Sequence, residues 1–372
     1  MRKPIFLLFM ISLLFIKTAA QEKEVDSLFD ESSKTFLPIP LIINNPTIET
    51  GFGGVGMYFF KFDKEDNISP PSIASLLGIY STNNSYVLIA TSRLYWNEDK
   101  NRATFIAGPI RINHDFIYEN DQGGDLHLVY SELRNSIAAE YSRKIFGDFY
   151  IGVLYLGTKT KFKFDQGTDE ENEFTEEFFK NNDITDNFIS SIGLNFSFDN
   201  RDYVYNPTKG LMFSIRPKLN REWLGSDNDY IDTDFTATYF IPFSVGKVLG
   251  FSLSGGIATG DVPFDGYQSY GLRNNLRGYP VGKYRGRNMV ALQAEYRRNI
   301  YNRWGAVAFA GTGSIWGNED NGEESFERIW LPSLGLGVRY MVSKEKRINL
   351  RLDFATGVDG NQGVYFGIME AF

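Results

Sequence analysis

The chain has 372 residues, among them 36 Gly, 32 Phe, 21 Tyr, 13 Pro and no cysteine, and a formal net charge of −8. The missing cysteines exclude both a disulfide framework and a lipoprotein acylation site, and the acidic balance disfavours nucleic acid as a partner. Abundant glycine and aromatics suit a β-rich chain with tight turns and large outward-facing rings.

Residues 1–20 read as a secretory signal, with basic Arg2 and Lys3, an apolar core from Ile5 to Ile16, and small Thr18 and Ala20 before Gln21. The core is too short to cross a bilayer as a helix, and no later apolar run reaches the roughly 18 residues that a spanning helix needs. Residues 21–33, which carry Glu22, Glu24, Asp26, Asp30 and Glu31, are too short and too polar for a packed domain and are expected to be a periplasmic tail. From residue 34 to 372 the chain is expected to form one barrel.

The first strands are predicted over Lys34 to Ile43 and Gly51 to Phe62, with a turn at Asn44-Asn45-Pro46. Gly51-Phe52-Gly53-Gly54-Val55-Gly56 looks like a phosphate loop only superficially, because no lysine and helix follow it. Glycines in an alternating strand instead relieve crowding where a barrel curves. Tyr95-Trp96, Tyr239-Phe240 and Tyr301 to Trp304 fit interfacial aromatic girdles.

Turns alternate in length. Asn97 to Asn101 and Phe146 to Asp148 are short, whereas His114 to Asp125 and Asp165 to Asn187 are long, as in barrels with inner turns and outer loops. His114 and His127, the only histidines, fall near the first of these loops with Asp115, Glu119, Asp121 and Asp125. Such loops are mostly turns, so no metal site is assigned. No Gly-x-Ser-x-Gly elbow and no nucleophile, base and orienting group in a triad point to an enzyme, and no cofactor is implied. The acidic runs Asp165 to Asp186 and Asp227 to Asp234 read as solvated loop surface.

From Asn187 to Phe198 one face carries Phe188, Ile192, Leu194, Phe196 and Phe198, and the other Ser191, Gly193, Asn195 and Ser197. That period of two is a strand. Arg347 to Phe354 repeats it, with Arg347, Asn349, Arg351 and Asp353 opposite Ile348, Leu350, Leu352 and Phe354. A sandwich would turn the polar face to water and a membrane barrel would turn it to the lumen. Recurring segments of about 10–14 residues exceed ordinary soluble strands and fit tilted spanning strands. If the loop holding Leu276 lies outside and the last strand ends inside, parity requires eleven strands before it and five after, near 288–301, 303–316, 333–342, 346–356 and 362–372. The fold expected is therefore an all-β transmembrane antiparallel barrel of about sixteen strands with a loop folded into the lumen. The last segment puts Val364, Phe366 and Ile368 on one face with Phe372, an aromatic of the kind that assembly machinery reads as an insertion signal.

Four segments in this order resemble the bacterial surface antigen superfamily of outer-membrane assembly and secretion barrels, the BamA and TamA type, over about residues 34–372. They are Pro46-Thr47-Ile48-Glu49-Thr50-Gly51-Phe52-Gly53; Asp199-Asn200-Arg201-Asp202 with Asn206-Pro207-Thr208-Lys209-Gly210 at an inner turn; Leu276-Arg277-Gly278-Tyr279 with Glu295; and Leu334-Gly335-Leu336-Gly337-Val338-Arg339 running into Leu350 to Ala355. The resemblance implies that Arg277 enters the lumen and pairs with Glu295, which shares a polar face with Ala291, Gln293 and Arg297. The family's second acidic partner is missing, since Gly311 stands where an aspartate aligns, and Asp353 is the candidate substitute. Members that fold or translocate proteins carry periplasmic POTRA modules, for which residues 21–34 leave no room, so a barrel-only member is expected. The function implied is protein or lipid insertion or transport at the outer membrane, without catalysis. Its partners would be membrane lipid, the barrel-assembly machinery during insertion and a separate periplasmic protein. A passive porin-like channel and a structural anchor for a periplasmic partner are the competing readings.

Overall fold

Lipid offers no hydrogen bonds, so a chain crosses it only as helices or as a sheet closed on itself. Among the described residues no helix is long and apolar enough to cross. The computed structural model describes residues 35–45, 47–119, 125–270, 276–320, 323–325, 329–344 and 346–372. The expected signal (1–20) and tail (21–33), as well as Pro46, lie outside them.

The strands are β1 (Thr35–Asn45), β2 (Glu49–Phe60), β3 (Ser72–Ser81), β4 (Tyr86–Trp96), β5 (Asn101–Glu119), β6 (Asp125–Phe146) and β7 (Phe149–Lys163). Helix α1 (Asp169–Asn181) precedes β8 (Asn187–Asp199), β9 (Gly210–Asn220), β10 (Tyr230–Ser244) and β11 (Lys247–Gly260). A short ribbon pairs β12 (Gln268–Ser269) with β13 (Arg285–Gly286), and another pairs β16 (Asn318–Asp320) with β17 (Glu323–Ser325). The others are β14 (Asn288–Tyr301), β15 (Trp304–Trp316), β18 (Ile329–Ser343), β19 (Ile348–Thr356) and β20 (Gln362–Ile368). Leaving out the two ribbons, sixteen antiparallel strands close a barrel in chain order. That is the number and topology that parity requires.

Face alternation follows the sequence. In β8 Ile192, Leu194 and Phe196 are exposed toward lipid while Gly193 and Asn195 are buried inside. In β18 Leu334, Leu336 and Val338 point outward and Arg339 inward. The wall from β1 to β4 departs from this scheme, being apolar on both faces. Phe36, Ile42, Phe52 and Leu76 face outward, while Leu37, Ile39, Leu41, Val55, Met57 and Ile73 form an apolar core on the inside.

Three expectations need correction. Residues 114–119 and 125 are strand, because β5 and β6 run far past the roughly 9–11 residues needed to cross and pair to Glu119 and Asp125, and residues 120–124 lie outside the described residues. The acidic run after Asp165 contains α1. Thr168 and Glu171 form a capping box, three acidic residues occupy its first turn, and Phe179 is buried against Tyr130 and Phe162. The final strand stops at Ile368, where Met369 takes a left-handed backbone (φ 66°) and the chain turns into the lumen.

That turn changes the seam. β1 and β2 share eleven register pairs and β19 and β20 share seven, whereas β1 and β20 share one, Asn44 with Val364. Tyr365 pairs with inward-facing Asp353, so Val364, Phe366 and Ile368 occupy the other face of β20. Past Val364 that face packs against the inner side chains of β1–β3 instead of lipid. Phe372 accordingly lies in the lumen, 6.2 Å from the Phe240 ring, and not on the lipid face with Val364.

Candidate functional site

The β12–β13 ribbon ties the base of the outer loop, and Leu276 to Tyr279 descend from it into the barrel. Tyr270 anchors the descent, its hydroxyl 2.8 Å from the Val290 carbonyl and 2.7 Å from that of Ser314. Leu276, fully buried, lies over Gly311 and Gly313. A Cβ at Gly311 would come within 2.8 Å of Gln293 Cγ and the Leu292 carbonyl and 3.2 Å of Leu276 Cδ1. A side chain there would press on both the neighbouring strand β14 and the seated loop.

Arg277 is buried against the inner wall formed by β14, β15, β18 and β19. Its Nη2 donates to Glu295 Oε2 at 2.8 Å, its Nη1 to Asp353 Oδ2 at 2.7 Å and its Nε to Gln293 Oε1 at 3.4 Å. The guanidinium lies 3.4 Å from the Phe309 ring centroid, and the Ser333 hydroxyl donates to the Arg277 carbonyl. Gly278 donates its N–H to the Tyr365 hydroxyl at 2.9 Å. Its φ of +106° and the 3.0 Å gap from a virtual Cβ to the Thr356 carbonyl carbon demand glycine. The Tyr279 hydroxyl donates to the Pro332 carbonyl and accepts from Val358 N–H at 3.2 Å. The structure thus brings Arg277, Glu295 and Asp353 together, and Asp353 rather than a side chain at Gly311 supplies the second carboxylate.

The charge cluster is larger than the three residues singled out from the sequence. Arg297 Nε donates to Glu295 at 2.7 Å, Arg339 to Asp353 and to Glu370 Oε2 at 2.8 Å, and Arg351 to Asp353 at 3.2 Å. Four guanidiniums therefore surround three carboxylates, all within the barrel. The polar parity of β18 and β19 was the signal for Arg339 and Arg351. Glu370 gave none, because its place depends on the turn at Met369.

The inner-turn motif builds a second anchor. Asp199 accepts from Arg201 Nε and from Arg102 Nη1, both at 2.8 Å. Asp202 accepts from Thr208 N and Lys209 N at 2.8 and 3.1 Å and from Arg347 at 3.1 Å. Burial pushes the Asp202 carboxyl up, but these donors together hold it below its ordinary range. Gly210, at φ +106°, has a virtual Cβ 2.6 Å from the Asn200 carbonyl. Tyr205 reaches over to Phe59 and donates its hydroxyl to the Pro71 carbonyl at 2.5 Å, joining the inner core of β1–β3.

Arg297 connects these groups. Besides Glu295 it reaches the Pro207 carbonyl at 3.5 Å and the Phe372 main-chain oxygen at 2.8 Å, and it lies over the Phe372 ring at 5.4 Å. The loop, the inner turn and the final residue meet at one guanidinium, which strand alternation alone places no further than on the polar face.

The histidines sit elsewhere, in the outer extension of the barrel. His114 Nε2 is 3.0 Å from Glu132, and His127 lies 2.7 Å from Asp115 and 3.2 Å from Glu171. Arg285 of the outer loop also reaches Glu132 at 3.0 Å, so this cluster pins the loop where it leaves the lumen.

A sequence model of the Omp85 superfamily domain matches residues 93–372. Among solved structures, the chain is similar to BamA from Haemophilus ducreyi lacking POTRA domains 1–3, at 14% identity and a TM-score of 0.52, over 91% of this chain and 71% of that one. It is also similar to CdiB from Acinetobacter baumannii (13%, TM-score 0.54, 90% and 59%) and to CdiB from Escherichia coli (12%, TM-score 0.56, 91% and 62%). The chain thus spans less than two thirds of either CdiB chain, and identities this low speak for the fold alone. No curated protein sequence matches.

Proposed function

Since the chain belongs to the Omp85 superfamily and is a bacterial outer-membrane β-barrel, we propose that it inserts or transports protein or lipid by parting the seam between β1 and β20, with the Arg277 loop holding the resting, plugged state. The observation that carries this reading is the single Asn44–Val364 pair at the seam, against eleven pairs between β1 and β2. Each intact ladder pair must be broken at the expense of unsatisfied backbone groups in lipid. A seam with one pair is therefore the place where the wall opens at least cost. The tucked end of β20 supports the same reading, because its apolar side chains are already sheltered inside and the strand edge of β1 beside them is unpaired by β20 below Asn44.

The test uses the absence of native cysteine. Paired antiparallel residues have Cα atoms about 4.5–5.5 Å apart, within disulfide reach, so Asn44→Cys with Val364→Cys closes the seam on oxidation. Proteoliposomes carrying this double variant should lose their stimulation of outer-membrane protein insertion, or of lipid transfer, when oxidised, and regain it on reduction. Unchanged rates in the oxidised protein refute the seam reading. Steady open conductance of the unmodified protein in planar bilayers would mark a passive channel instead.

A further inference from the structure

We propose that the lumen beside β1–β5 binds a single-chain anionic amphiphile, its acyl tail in an apolar cavity behind the seam and its head at Arg93. Barrel interiors are ordinarily polar, yet here Leu41, Val55, Met57, Leu77, Ile79 and Ile89 face inward and line a cavity of about 400 Å³, open on one side, with Phe366 and Ile368 as its far wall. This volume is at the small end of the roughly 300–1,000 Å³ of small-molecule pockets, enough for one chain rather than two. Of its polar lining, Ser75 and Thr91 satisfy each other at 2.6 Å, which leaves Thr104 and Arg93 toward the polar end.

The cavity opens into a second one of about 790 Å³ that is lined by charged groups including Arg216, Lys218, Asp232 and Asp234. Arg93, Ile106, Ile368 and Met369 line both, so the boundary between apolar and polar space runs through Arg93. Lys218 is already held by Asp232 and Asp234 at 2.6 and 3.0 Å. Among the described residues no carboxylate lies within ion-pair distance of Arg93, which is exposed to the lumen. An apolar chamber with a cation at its polar rim complements a tail with a negative head. The seam, paired once, lies beside the chamber and gives it a route from the bilayer. The site requires the tucked end of β20 but not its movement, so it stands or falls separately from the translocation reading.

The experiment is photolabelling of the barrel in nanodiscs of a zwitterionic phospholipid. Palmitic acid and a lysophosphatidic acid, each with a mid-chain diazirine, are compared with the uncharged methyl ester of the same fatty acid, and adducts are mapped by mass spectrometry. The expected result is labelling of inward Met57, Ile73 or Ile89 by one or both anionic probes, and at least fivefold less by the ester. The better probe then tells a carboxylate head from a phosphate head. Arg93→Glu should lower inward labelling at least fivefold, and Ile89→Trp, which fills the chamber and keeps every charge, should abolish it. Labelling of outward Leu76 and Leu88 should not change in either variant, and retained heat-modifiability reports that the barrel is folded. Adducts confined to outward residues, equal inward labelling by the ester, or inward labelling that survives both variants would overturn the proposal.

Discussion

Replacing Arg277 by methionine removes the charge while keeping an unbranched side chain of moderate length. Two unit charges about 4 Å apart interact by roughly 4 kcal/mol at an effective dielectric near 20, and Arg277 meets two carboxylates at 2.8 and 2.7 Å. The loss is smaller than twice that figure, because neither carboxylate is orphaned. Glu295 keeps Arg297 at 2.7 Å, and Asp353 keeps Arg339 and Arg351 at 2.5 and 3.2 Å. The variant cluster holds three guanidiniums and three carboxylates. The cost should therefore fall at the low end of the roughly 3–5 kcal/mol for breaking a buried pair, and it should fall on loop seating rather than on barrel closure. About 3 kcal/mol corresponds to roughly 100-fold in the loop's open-to-seated ratio. Tryptic cleavage at Lys283 and Arg285 in the reconstituted barrel reads that ratio when reseating outpaces cleavage. An acceleration of about 100-fold is expected, with heat-modifiability retained. Arg277→Lys should lie between, since an ammonium cannot bridge both carboxylates as a planar fork does. Arg277→Glu, which leaves four carboxylates facing three guanidiniums, should prevent seating altogether. Cleavage of Arg277→Met within threefold of the parent would refute the assignment of the loop's hold to this side chain.

Arg297→Gln should expose both ends of the network, raising tryptic cleavage at Lys209 in the inner turn as well as at Lys283 and Arg285, whereas Arg277→Met should leave cleavage at Lys209 unchanged. Gly278→Ala, at φ +106° and against the Thr356 backbone, should cost about 1–3 kcal/mol of loop seating, read by the same digestion. Leu336→Arg, on the lipid face at mid-strand, should lower stability by about 2–4 kcal/mol in urea titrations of the barrel in vesicles, with no change in loop cleavage. The Asp202 carboxyl is held below its ordinary value of 3.8, so its contribution is present above that pH and is lost as pH falls through the lowered value. Digestion of the inner turn with an acid-active protease should therefore accelerate below about pH 3.8 in the parent, and should be fast at every pH in Asp202→Asn.

Much of this barrel is legible in the sequence because its cause is local. Alternation along Asn187 to Phe198 and Arg347 to Phe354 fixes which side chains face lipid, and parity about the Leu276 loop then fixes the number of strands. The helix after Asp165 was also legible, since Thr168 and Glu171 spell its cap, but the density of acidic residues hid it. The parts that were not legible depend on chain curvature. Nothing in Val364 to Phe372 signals that the alternation ends at Ile368, because an apolar strand facing lipid and one tucked against an apolar inner wall have the same composition. Only the inward Leu37, Ile39, Val55 and Met57, on strands more than 300 residues away in the chain, distinguish them.

By itself the sequence determined the class of fold, the strand number and the polarity of each face, all of which follow from a period of two and from the cost of polar groups in lipid, whereas the pairing of Arg277 with Glu295 was implied only by the resemblance of its motif to a family. The tertiary structure alone decided that Asp353 is the second carboxylate on Arg277, that Arg297 joins the loop to the inner turn and the last residue, and that the seam is paired once. The reason is geometric. Closing sixteen strands brings residues 277, 295 and 353 to one point in the lumen, and where the ends of the sheet meet is set by the curvature of the whole barrel rather than by any one strand.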